Sequence, residues 1–437
     1  MYRKQLFRVG TVLLIVCSFL AWVGSDQTPH RVQATSPIQH IVFIDKENRT
    51  FDSYFGLFPG ANGTTTGKVK VNGVVKTITL NVAPDKALNY CHGWNCAHGA
   101  YDKGQNDNFA AADASKQCNT SPYTCYQEAQ QSLIPNYWKL AQNFVLSDNT
   151  FSSALTASLT NHLFTAAGNG GSTTLAKEII NNPSNGSTNN KWGCDAPSGT
   201  TVQLEDGTKE FPCVTDTTLA DEMQTANVSF KWYGAPTTDS GYKWDSLDTF
   251  KQDRNGTVWS HNVPWTQMAT DLTNNALPAF SWVTPPFAQS EHAPQSVCVG
   301  ENWSAQIIQN IENSSAWSST VIIVAWDDWG GFYDHVPPQQ LDGMGYGFRV
   351  PMIIISPFAF ANDNPTQPHI THAQYELASV LKLAEEVFNL PSLGQRDASA
   401  GDLMQALNFT VMNPTVPLTQ RTCPTSATPQ TSLDYND

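Results

Sequence analysis

The sequence predicts an α/β protein with a mostly parallel, doubly wound central sheet and helices on both faces. The first observation is that short apolar, β-branched runs, such as Ile41–Ile44 and Val321–Trp326, have the length and composition of buried strands. The second is that such runs alternate along the chain with segments of helical character. The third is that two of the runs end in paired polar side chains, as expected at the carboxyl ends of parallel strands that bind ligands.

The other elements are predicted in chain order from the same patterns. A small hairpin is expected near Lys68–Leu80, and a helix is expected from Ser158 to about Ala167. Tyr375–Phe388 carries apolar residues at helical spacing and predicts another helix. Further strands are predicted at Phe144–Asp148, Phe230–Tyr233, Ala279–Val283 and Val350–Ile355, with a helix at Ser304–Asn313.

The N-terminal segment has the pattern of an export signal. Three basic residues precede an apolar stretch from Val9 to Val23, and small and polar residues follow it. This is the order of a signal peptide, which we place at residues 1–34. An uncleaved N-terminal anchor is the alternative, although the stretch is short for a membrane span. We therefore expect a secreted or extracytoplasmic protein.

The rest of the chain is predicted to fold as one domain. That domain covers residues 35–415 and carries loop insertions near residues 60–130 and 168–215, where Gly, Asn, Ser, Thr or Cys are frequent. Residues 416–437 are rich in Pro, Thr and Ser and are expected to form a loosely ordered tail.

The charge balance narrows the classes of partner. The 437 residues include 24 basic and 38 acidic side chains, which give a formal net charge of −14. A chain this acidic is a poor ligand for a nucleic-acid backbone, so no nucleic-acid partner is expected. A small anionic substrate remains compatible, because a bound cation reverses the local field. No obligate protein partner is predicted.

The cysteines indicate disulfides. Nine are present, and eight of them follow the leader, an even count that is typical of an exported chain. Structural zinc is the competing interpretation, but no pair has the two-residue spacing that such sites favour. Proximity in sequence predicts the pairs Cys91–Cys96, Cys118–Cys125 and Cys194–Cys213, which leaves Cys298–Cys423.

The paired polar residues at two strand ends predict a cation site. Glu47 and Asn48 follow the first strand, and Asp327 and Asp328 follow the Val321 strand. Two adjacent aspartates are costly to hold together without a cation, and oxygen donors from two strand ends can converge on one ion. A solvated turn is the alternative for each pair. We expect a divalent metal ion, with Ca²⁺, Mg²⁺, Mn²⁺ and Zn²⁺ all left open.

Ser158 is the candidate nucleophile. It lies at the start of the predicted helix, and a helix N-terminus is a natural site for an oxyanion or a phosphate. Metal coordination can activate a serine that is otherwise a poor nucleophile. On pattern alone Thr156 and Thr160 compete with it, and a helix-capping role for the serine is the alternative.

Several histidines lie in loops near predicted strand ends. His92, His98 and His292 are candidates for stabilising a phosphoryl group or protonating a leaving group. His372, which precedes the last long helix, is predicted to be a metal ligand. Structural roles remain the alternative for each histidine taken singly. Trp94, Trp282, Trp303 and Trp329 could form an aromatic cage for choline, with a role in the core as the default.

Four motifs follow one another along the chain: Glu47–Gly56, Trp326–Pro338, Gly347–Pro351 with Ser356–Phe358, and the His372–Leu381 segment with its downstream residues to Ala398. Together they resemble the bacterial phospholipase C / acid phosphatase phosphoesterase family, in the alkaline-phosphatase-like superfamily. The resemblance implies an alkaline-phosphatase-like fold and hydrolysis of phosphate esters through a covalent phospho-enzyme. It assigns the metal site to Glu47, Asn48, Asp327 and Asp328.

The resemblance also strengthens the choice of Ser158, since the nucleophile in that family lies three residues before an asparagine, here Asn161. Asn161 and His162 are then expected to contact the phosphate, although His162 stands where phospholipases often have arginine. The expected substrate is a small phosphate ester or a phospholipid headgroup. The alternative is an exported binding protein of the same fold that keeps the metal and has lost catalysis.

Overall fold

The computed structural model describes residues 36–172, 176–184, 190–360, 369–410 and 412–424. The predicted signal peptide at 1–34 lies outside the described residues, as does most of the predicted tail. The described residues from Pro37 onward belong to one compact unit.

Sixteen strands and eleven α-helices are found in these ranges. The strands are β1 (His40–Lys46), β2 (Thr66–Val71), β3 (Val74–Thr79), β4 (Asn81–Val82), β5 (Gln127–Glu128), β6 (Val145–Ser147), β7 (Thr150–Phe151), β8 (Val202–Gln203), β9 (Lys209–Glu210), β10 (Phe230–Gly234), β11 (Asn262–Pro264), β12 (Phe280–Val283), β13 (Thr320–Trp326), β14 (Met352–Ile355), β15 (His369–Thr371) and β16 (Tyr375–Glu376). The helices are α1 (Phe51–Phe55), α2 (Trp94–Tyr101), α3 (Phe109–Ala112), α4 (Pro135–Asn143), α5 (Ser158–Ala167), α6 (Leu219–Ala226), α7 (Lys251–Asn255), α8 (Gln267–Thr273), α9 (Val297–Glu312), α10 (Ser379–Phe388) and α11 (Gln395–Ser399).

The central sheet has eight strands in the order β11-β10-β12-β1-β13-β14-β6-β15. All neighbours are parallel except at β14, which runs antiparallel to β13 and to β6. The four residues of β14 and all seven of β13 are buried, so apolar runs rather than alternating patterns fill the middle of the sheet. The predicted α/β class and mostly parallel sheet are confirmed.

Two predicted helices have different starting points in the structure. Helix α9 begins at Val297 rather than at Ser304, because the hydroxyl of Ser296 accepts a hydrogen bond from the backbone N–H of Val299 and caps it. Helix α10 begins at Ser379 rather than at Tyr375. The preceding Tyr375–Glu376 forms β16, which pairs with β7 instead.

The two predicted loop insertions contain packed cores of their own. In the first, Phe109 and Tyr126 pack with the aromatic residues of the Asp327–Asp328 loop, among them Trp329. In the second, buried residues such as Trp192 and Leu204 pack on Leu159 and Leu163 of α5. Part of the predicted insertion at 168–215 therefore packs on the helix that carries Ser158.

All four predicted disulfides are present: Cys91–Cys96, Cys118–Cys125, Cys194–Cys213 and Cys298–Cys423. The last joins residues 125 positions apart and ties the C-terminal segment to α9. In the described residues, no helix has both the length and the apolar character needed to cross a membrane.

Candidate active site

The polar residues at the ends of β1 and β13 come together at one edge of the sheet. The two strands are parallel neighbours, and their last residues, Lys46 and Trp326, are register partners. Glu47–Asn48 and Asp327–Asp328 therefore leave the sheet side by side. The backbone N–H of Asn48 donates to Oδ1 of Asp327 at 2.8 Å, which locks the two loops together.

Unusual backbone conformations make this close approach possible. Asn48 has a φ of 62°, in the left-handed region that asparagine tolerates better than most residues. Gly330, with a φ of 57°, packs so closely on Asn48 that a Cβ there would lie 2.6 Å from the Cβ of Asn48. Glycine is thus required behind the aspartate pair.

The oxygen atoms of this cluster fit a divalent cation. Glu47, Asn48, Asp327 and Asp328 are all at most 1% exposed. Among the described residues, Glu47 Oε2, Asn48 Oδ1 and Asp327 Oδ2 have no hydrogen-bond partner. Buried oxygens without a donor are costly, and a hard cation is the partner that such a set of ligands accepts. The chemistry of the four residues therefore fits the predicted metal.

Burial also raises the pKa values of these carboxyl groups. It raises the pKa of Asp327 to about 6, with the neighbouring Asp328 adding to the effect. It raises the pKa of Asp328 to about 7. The pKa of Glu47 is likewise raised well above its usual range by burial and by the charge of Asp327. A bound cation would reverse these shifts, because it favours the ionised carboxylates.

The imidazole ring of His162 lies among the buried carboxylates of this site. Its Nε2 is 2.8 Å from Glu47 Oε1, and its Nδ1 is 2.9 Å from Oδ2 of Asp45. Burial alone would lower the pKa of His162, but the charges of Asp45 and Glu47 raise it well above its usual value. Both ring nitrogens of His162 face carboxylates and offset their charge, whereas its predicted contact with a phosphate stays a prediction.

Asp45 is a site residue that the sequence reasoning missed. It is 2% exposed, and burial raises its pKa to about 6. The signal was present, because side chains two residues apart on a strand share a face, which puts Asp45 on the same face as Glu47.

Ser158 is the first residue of α5, as predicted, and its hydroxyl points to the acidic pair. The Oγ donates to Oδ2 of Asp328 at 3.1 Å. The competing hydroxyls are engaged elsewhere: Thr156 donates to the carbonyl of Ile180, and Thr160 donates to that of Ile179. Of the three candidates, Ser158 alone contacts an acidic residue of the candidate metal site through its hydroxyl.

Asn161 shapes the loop that leads into Ser158. Its Oδ1 accepts from the backbone N–H of Ala154 at 2.8 Å, and its Nδ2 faces the carbonyls of Ala154, Thr156 and Ala157. Both polar atoms of the Asn161 side chain therefore bond to the backbone of the loop that precedes Ser158, and its predicted contact with a phosphate stays a prediction.

His92 holds a metal-ligand candidate in place. Its Nδ1 lies 2.7 Å from the carbonyl of Tyr90, which assigns the proton to that nitrogen. Its Nε2 can then accept from Nδ2 of Asn48, 3.0 Å away, and this bond turns Oδ1 of Asn48 toward the cluster. The indole N–H of Trp329 fixes the His92 carbonyl at 2.9 Å. His92 therefore acts through Asn48, as the partners of metal ligands do.

His292 lies opposite His92, with ring centroids 6.0 Å apart. Its Nδ1 donates to the carbonyl of Ala293 at 2.7 Å, and its ring packs near Trp244 and Phe287. This fixed orientation suits a proton donor that acts through Nε2.

The residue before His292 anchors its loop. Glu291 is fully buried, with a φ of 74°. Its carboxylate accepts from the hydroxyls of Tyr54 and Tyr137, each at 2.7 Å, and lies 3.3 Å from the ammonium of Lys46. Lys46 directly precedes Glu47, so one buried network ties the His292 loop to the first pair of ligand candidates.

The two remaining histidines have other surroundings. The ring centroid of His98 lies 4.0 Å from that of Trp94, and its Nδ1 faces the Trp94 carbonyl one turn earlier in α2. Of His92 and His98, it is therefore His92 that reaches the site. His372 follows β15, three strands away from β13 in the sheet, or roughly 14 Å at normal strand spacing. Its Nδ1 pairs with Asp148 at 2.9 Å. The structure therefore does not bring His372 together with the other candidate metal ligands, and its predicted role as a ligand stays a prediction.

Replacing His372 with alanine is accordingly expected to leave metal affinity and turnover within about twofold of wild type. Its side chain is 69% exposed, and an exposed ion pair contributes at most about 1 kcal/mol to stability. Metal titration by calorimetry is the measurement. A tenfold loss of affinity would return His372 to the ligand set.

A second group of acidic residues and histidine is neutralised by the protein itself. Asp52, Asp334 and His335 lie within ligand distance of one another. The guanidinium of Arg349, fully buried, bonds to Asp334 at 2.9 Å and to Asp52 at 3.1 Å. This arginine supplies the positive charge that a metal would supply, so the group is structural.

The proposed aromatic cage is not formed by the four tryptophans. Trp282, Trp303 and Trp329 are at most 4% exposed, and two of them donate their indole N–H to backbone carbonyls within the core. The default interpretation of these three as core residues agrees with the structure.

Comparison with known proteins identifies the family. The profile described as Phosphoesterase family matches residues 38–391, and the chain therefore belongs to the phosphoesterase family. It is a hydrolase that acts on phosphoric esters, and the resemblance noted from its motifs is confirmed.

Individual relatives agree with this assignment. Phospholipase C B of Mycobacterium tuberculosis is 28% identical over 95% of this chain and 88% of that protein. Hemolytic phospholipase C of Pseudomonas aeruginosa is 24% identical over 87% of this chain and 57% of that protein. A solved protein of the alkaline phosphatase superfamily from Vibrio parahaemolyticus aligns with 61% of this chain and 64% of its own, at 12% identity and a TM-score of 0.34, a likeness too weak to support further conclusions.

Proposed function

We propose that this chain is an exported phosphoric ester hydrolase that requires a divalent metal ion and acts through a phosphoserine at Ser158. The single observation that carries the proposal is the hydroxyl of Ser158, 3.1 Å from Asp328, beside a buried set of oxygens that lack donors. The four disulfides support export, because such bonds persist in oxidising compartments.

In this mechanism Ser158 attacks the phosphorus atom and Asp328 accepts the proton from its hydroxyl. Glu47, Asn48, Asp327 and Asp328 would hold the metal ion, which when bound lowers the pKa of the serine hydroxyl and offsets charge on the phosphoryl oxygens. The position of Ser158 at the N-terminus of the ten-residue helix α5 adds the favourable end of a helix dipole.

His292 protonates the oxygen of the leaving group as the bond to phosphorus breaks. Water then attacks the phosphoserine, and His292 takes up a proton from that water. As the bond between phosphorus and the Ser158 oxygen breaks, Asp328 returns its proton to that oxygen, so both groups are back in their starting states. His92 is assigned no proton transfer, because Tyr90 and Asn48 face its two nitrogens. The relatives named phospholipase C favour a phospholipid headgroup ester as the substrate over a simple monoester.

The two histidines are expected to give different kinetic signatures. His292→Ala is expected to slow phenyl phosphate about 10²-fold or more while affecting p-nitrophenyl phosphate much less, since p-nitrophenolate leaves without protonation. His92→Ala is expected to weaken metal binding about 10- to 100-fold and to affect both substrates alike. Steady-state kinetics over a range of metal concentrations checks both predictions; identical leaving-group dependence in the two variants would contradict the assignment.

The substrate class is tested by the release of nitrophenol from p-nitrophenyl phosphate and p-nitrophenyl phosphorylcholine. Preference for the choline diester supports phospholipase C activity, and preference for the monoester supports a phosphatase. If metal binds but neither compound is hydrolysed, nor any phospholipid in vesicles, the chain is instead a binding protein that keeps the site.

A further inference from the structure

The β2–β3 hairpin projects an unusual surface from the site's edge of the molecule. The two strands pair antiparallel from Thr66↔Thr79 to Val71↔Val74, and Asn72–Gly73 form the turn. Val69 is fully buried and anchors one face of the hairpin, whereas residues 72–77 around the tip are exposed. The base of the hairpin is therefore fixed and its tip is free to meet a partner.

The tip carries exposed apolar side chains. Val74 is 59% exposed and Val75 is 47% exposed, directly after the Asn72–Gly73 turn. They are two of only eight large apolar residues that are exposed in the described chain. Two adjacent exposed valines at the end of a hairpin are a candidate interaction surface.

The hairpin is also basic in an acidic protein. Residues 64–84 contain Lys68, Lys70 and Lys76 and no acidic residue, although the whole chain has a net charge of −14. Lys70 is paired with Asp102, so Lys68 and Lys76 provide the exposed positive charge. The exposed lysines and valines of the hairpin are therefore complementary to a partner with a negatively charged surface and an apolar interior.

The hairpin is bonded to the loop that carries the acidic pair of the site. The hydroxyl of Tyr333 accepts from the backbone N–H of Lys68 at 3.3 Å, and the hydroxyl of Tyr126 donates to the carbonyl of Lys68 at 2.9 Å. Tyr333 follows Asp327–Asp328 by five residues. The base of the hairpin is therefore joined directly to the loop that carries Asp327 and Asp328.

We infer that the β2–β3 hairpin docks the protein on an anionic lipid surface. Val74 and Val75 enter the boundary of the acyl chains, and Lys68 and Lys76 contact the anionic headgroups. Two valines and two lysines give weak, reversible binding, as suits an enzyme that moves along a surface. The inference goes beyond the proposed hydrolysis and does not require it, because docking is a binding event.

The test is co-sedimentation with vesicles of phosphatidylcholine, with and without 30% phosphatidylglycerol, using Ser158→Ala protein so that no lipid is hydrolysed. Binding is expected on the anionic vesicles, at least about tenfold tighter than on phosphatidylcholine alone. Lys68→Ser with Lys76→Ser is expected to weaken it about fivefold for each lysine. Val74→Ser with Val75→Ser is expected to weaken it at least about tenfold.

Lys251→Ser and Met412→Ser are the matched controls, since both residues are exposed and lie outside the hairpin, and they should bind like the parent. The same hairpin substitutions, made in protein that keeps Ser158, should leave the hydrolysis of soluble p-nitrophenyl esters at the wild-type rate. The inference is overturned if the Ser158→Ala parent does not bind anionic vesicles, or if the hairpin variants bind these vesicles as tightly as that parent. It is also overturned if sedimentation velocity shows that the hairpin mediates self-association instead. Vesicle binding without any turnover would refute the proposed function and leave the docking surface standing.

Discussion

Replacing Ser158 with alanine is expected to lower kcat by at least about 10³-fold while leaving the fold intact. The reason is that the hydroxyl is the only group lost, and a covalent mechanism has no second route of similar rate. The hydroxyl donates to Asp328 at 3.1 Å, and losing a hydrogen bond of this kind should cost no more than about 1 to 2 kcal/mol of stability. Steady-state kinetics and thermal unfolding measure the two effects.

Thr160→Ala is the matched control for this variant. Thr160 lies two residues further along α5, is equally buried, and donates its hydroxyl to the carbonyl of Ile179. It should lose about 1 kcal/mol of stability and keep its activity, because its hydroxyl does not face the acidic cluster. Turnover by Ser158→Ala near the wild-type rate would exclude Ser158 as the nucleophile.

Removing divalent metal is expected to abolish turnover and to make the stability of the protein depend on pH. The buried carboxyl groups of Asp327 and Asp328 have pKa values raised to about 6 and about 7, and the ordinary value is 3.8. A carboxyl group with a raised pKa in the folded state stabilises the fold below pH 4. That stability is lost as the pH rises through 6 and 7. Asp327 accounts for about 3 kcal/mol at most and Asp328 for about 4 kcal/mol at most, and bound metal should restore this stability.

The measurement is the melting temperature with chelator and with added divalent ion, between pH 5 and pH 8. The difference between the two curves should widen as the pH rises, because metal competes with protons for the same oxygens. Asp327→Asn protein should show little widening and little response to metal. A difference that stays constant across this range, or activity that survives exhaustive chelation, would contradict the assignment of the site.

The juxtaposition of the two acidic segments was predictable from local pattern. Ile41–Ile44 and Val321–Trp326 are apolar enough to be buried strands, and each is followed at once by polar residues, so placing both strands in one parallel sheet brings those residues to one edge. The start of α5 at Ser158 was likewise readable from the sequence.

The roles of the histidines were not predictable in the same way. His162 lies 115 residues from its partner Glu47, and His372 lies 224 residues from Asp148, so only the tertiary fold decides which carboxylate each one meets. Sequence spacing alone made these histidines similarly good candidates for site residues. The structure places the ring of His292 6.0 Å from that of His92, places His92 against Asn48, and places His372 next to β15 at the edge of the sheet.

The central claim is the phosphoserine at Ser158, and trapping it is the most direct measurement. The enzyme is mixed with excess p-nitrophenyl phosphorylcholine or p-nitrophenyl phosphate, quenched in acid within milliseconds, digested and examined by mass spectrometry. The mechanism predicts a phosphoryl group on the peptide that contains Ser158, together with a burst of nitrophenol equal to the enzyme present. Steady turnover with an unmodified Ser158, or with the label on another residue, would contradict it.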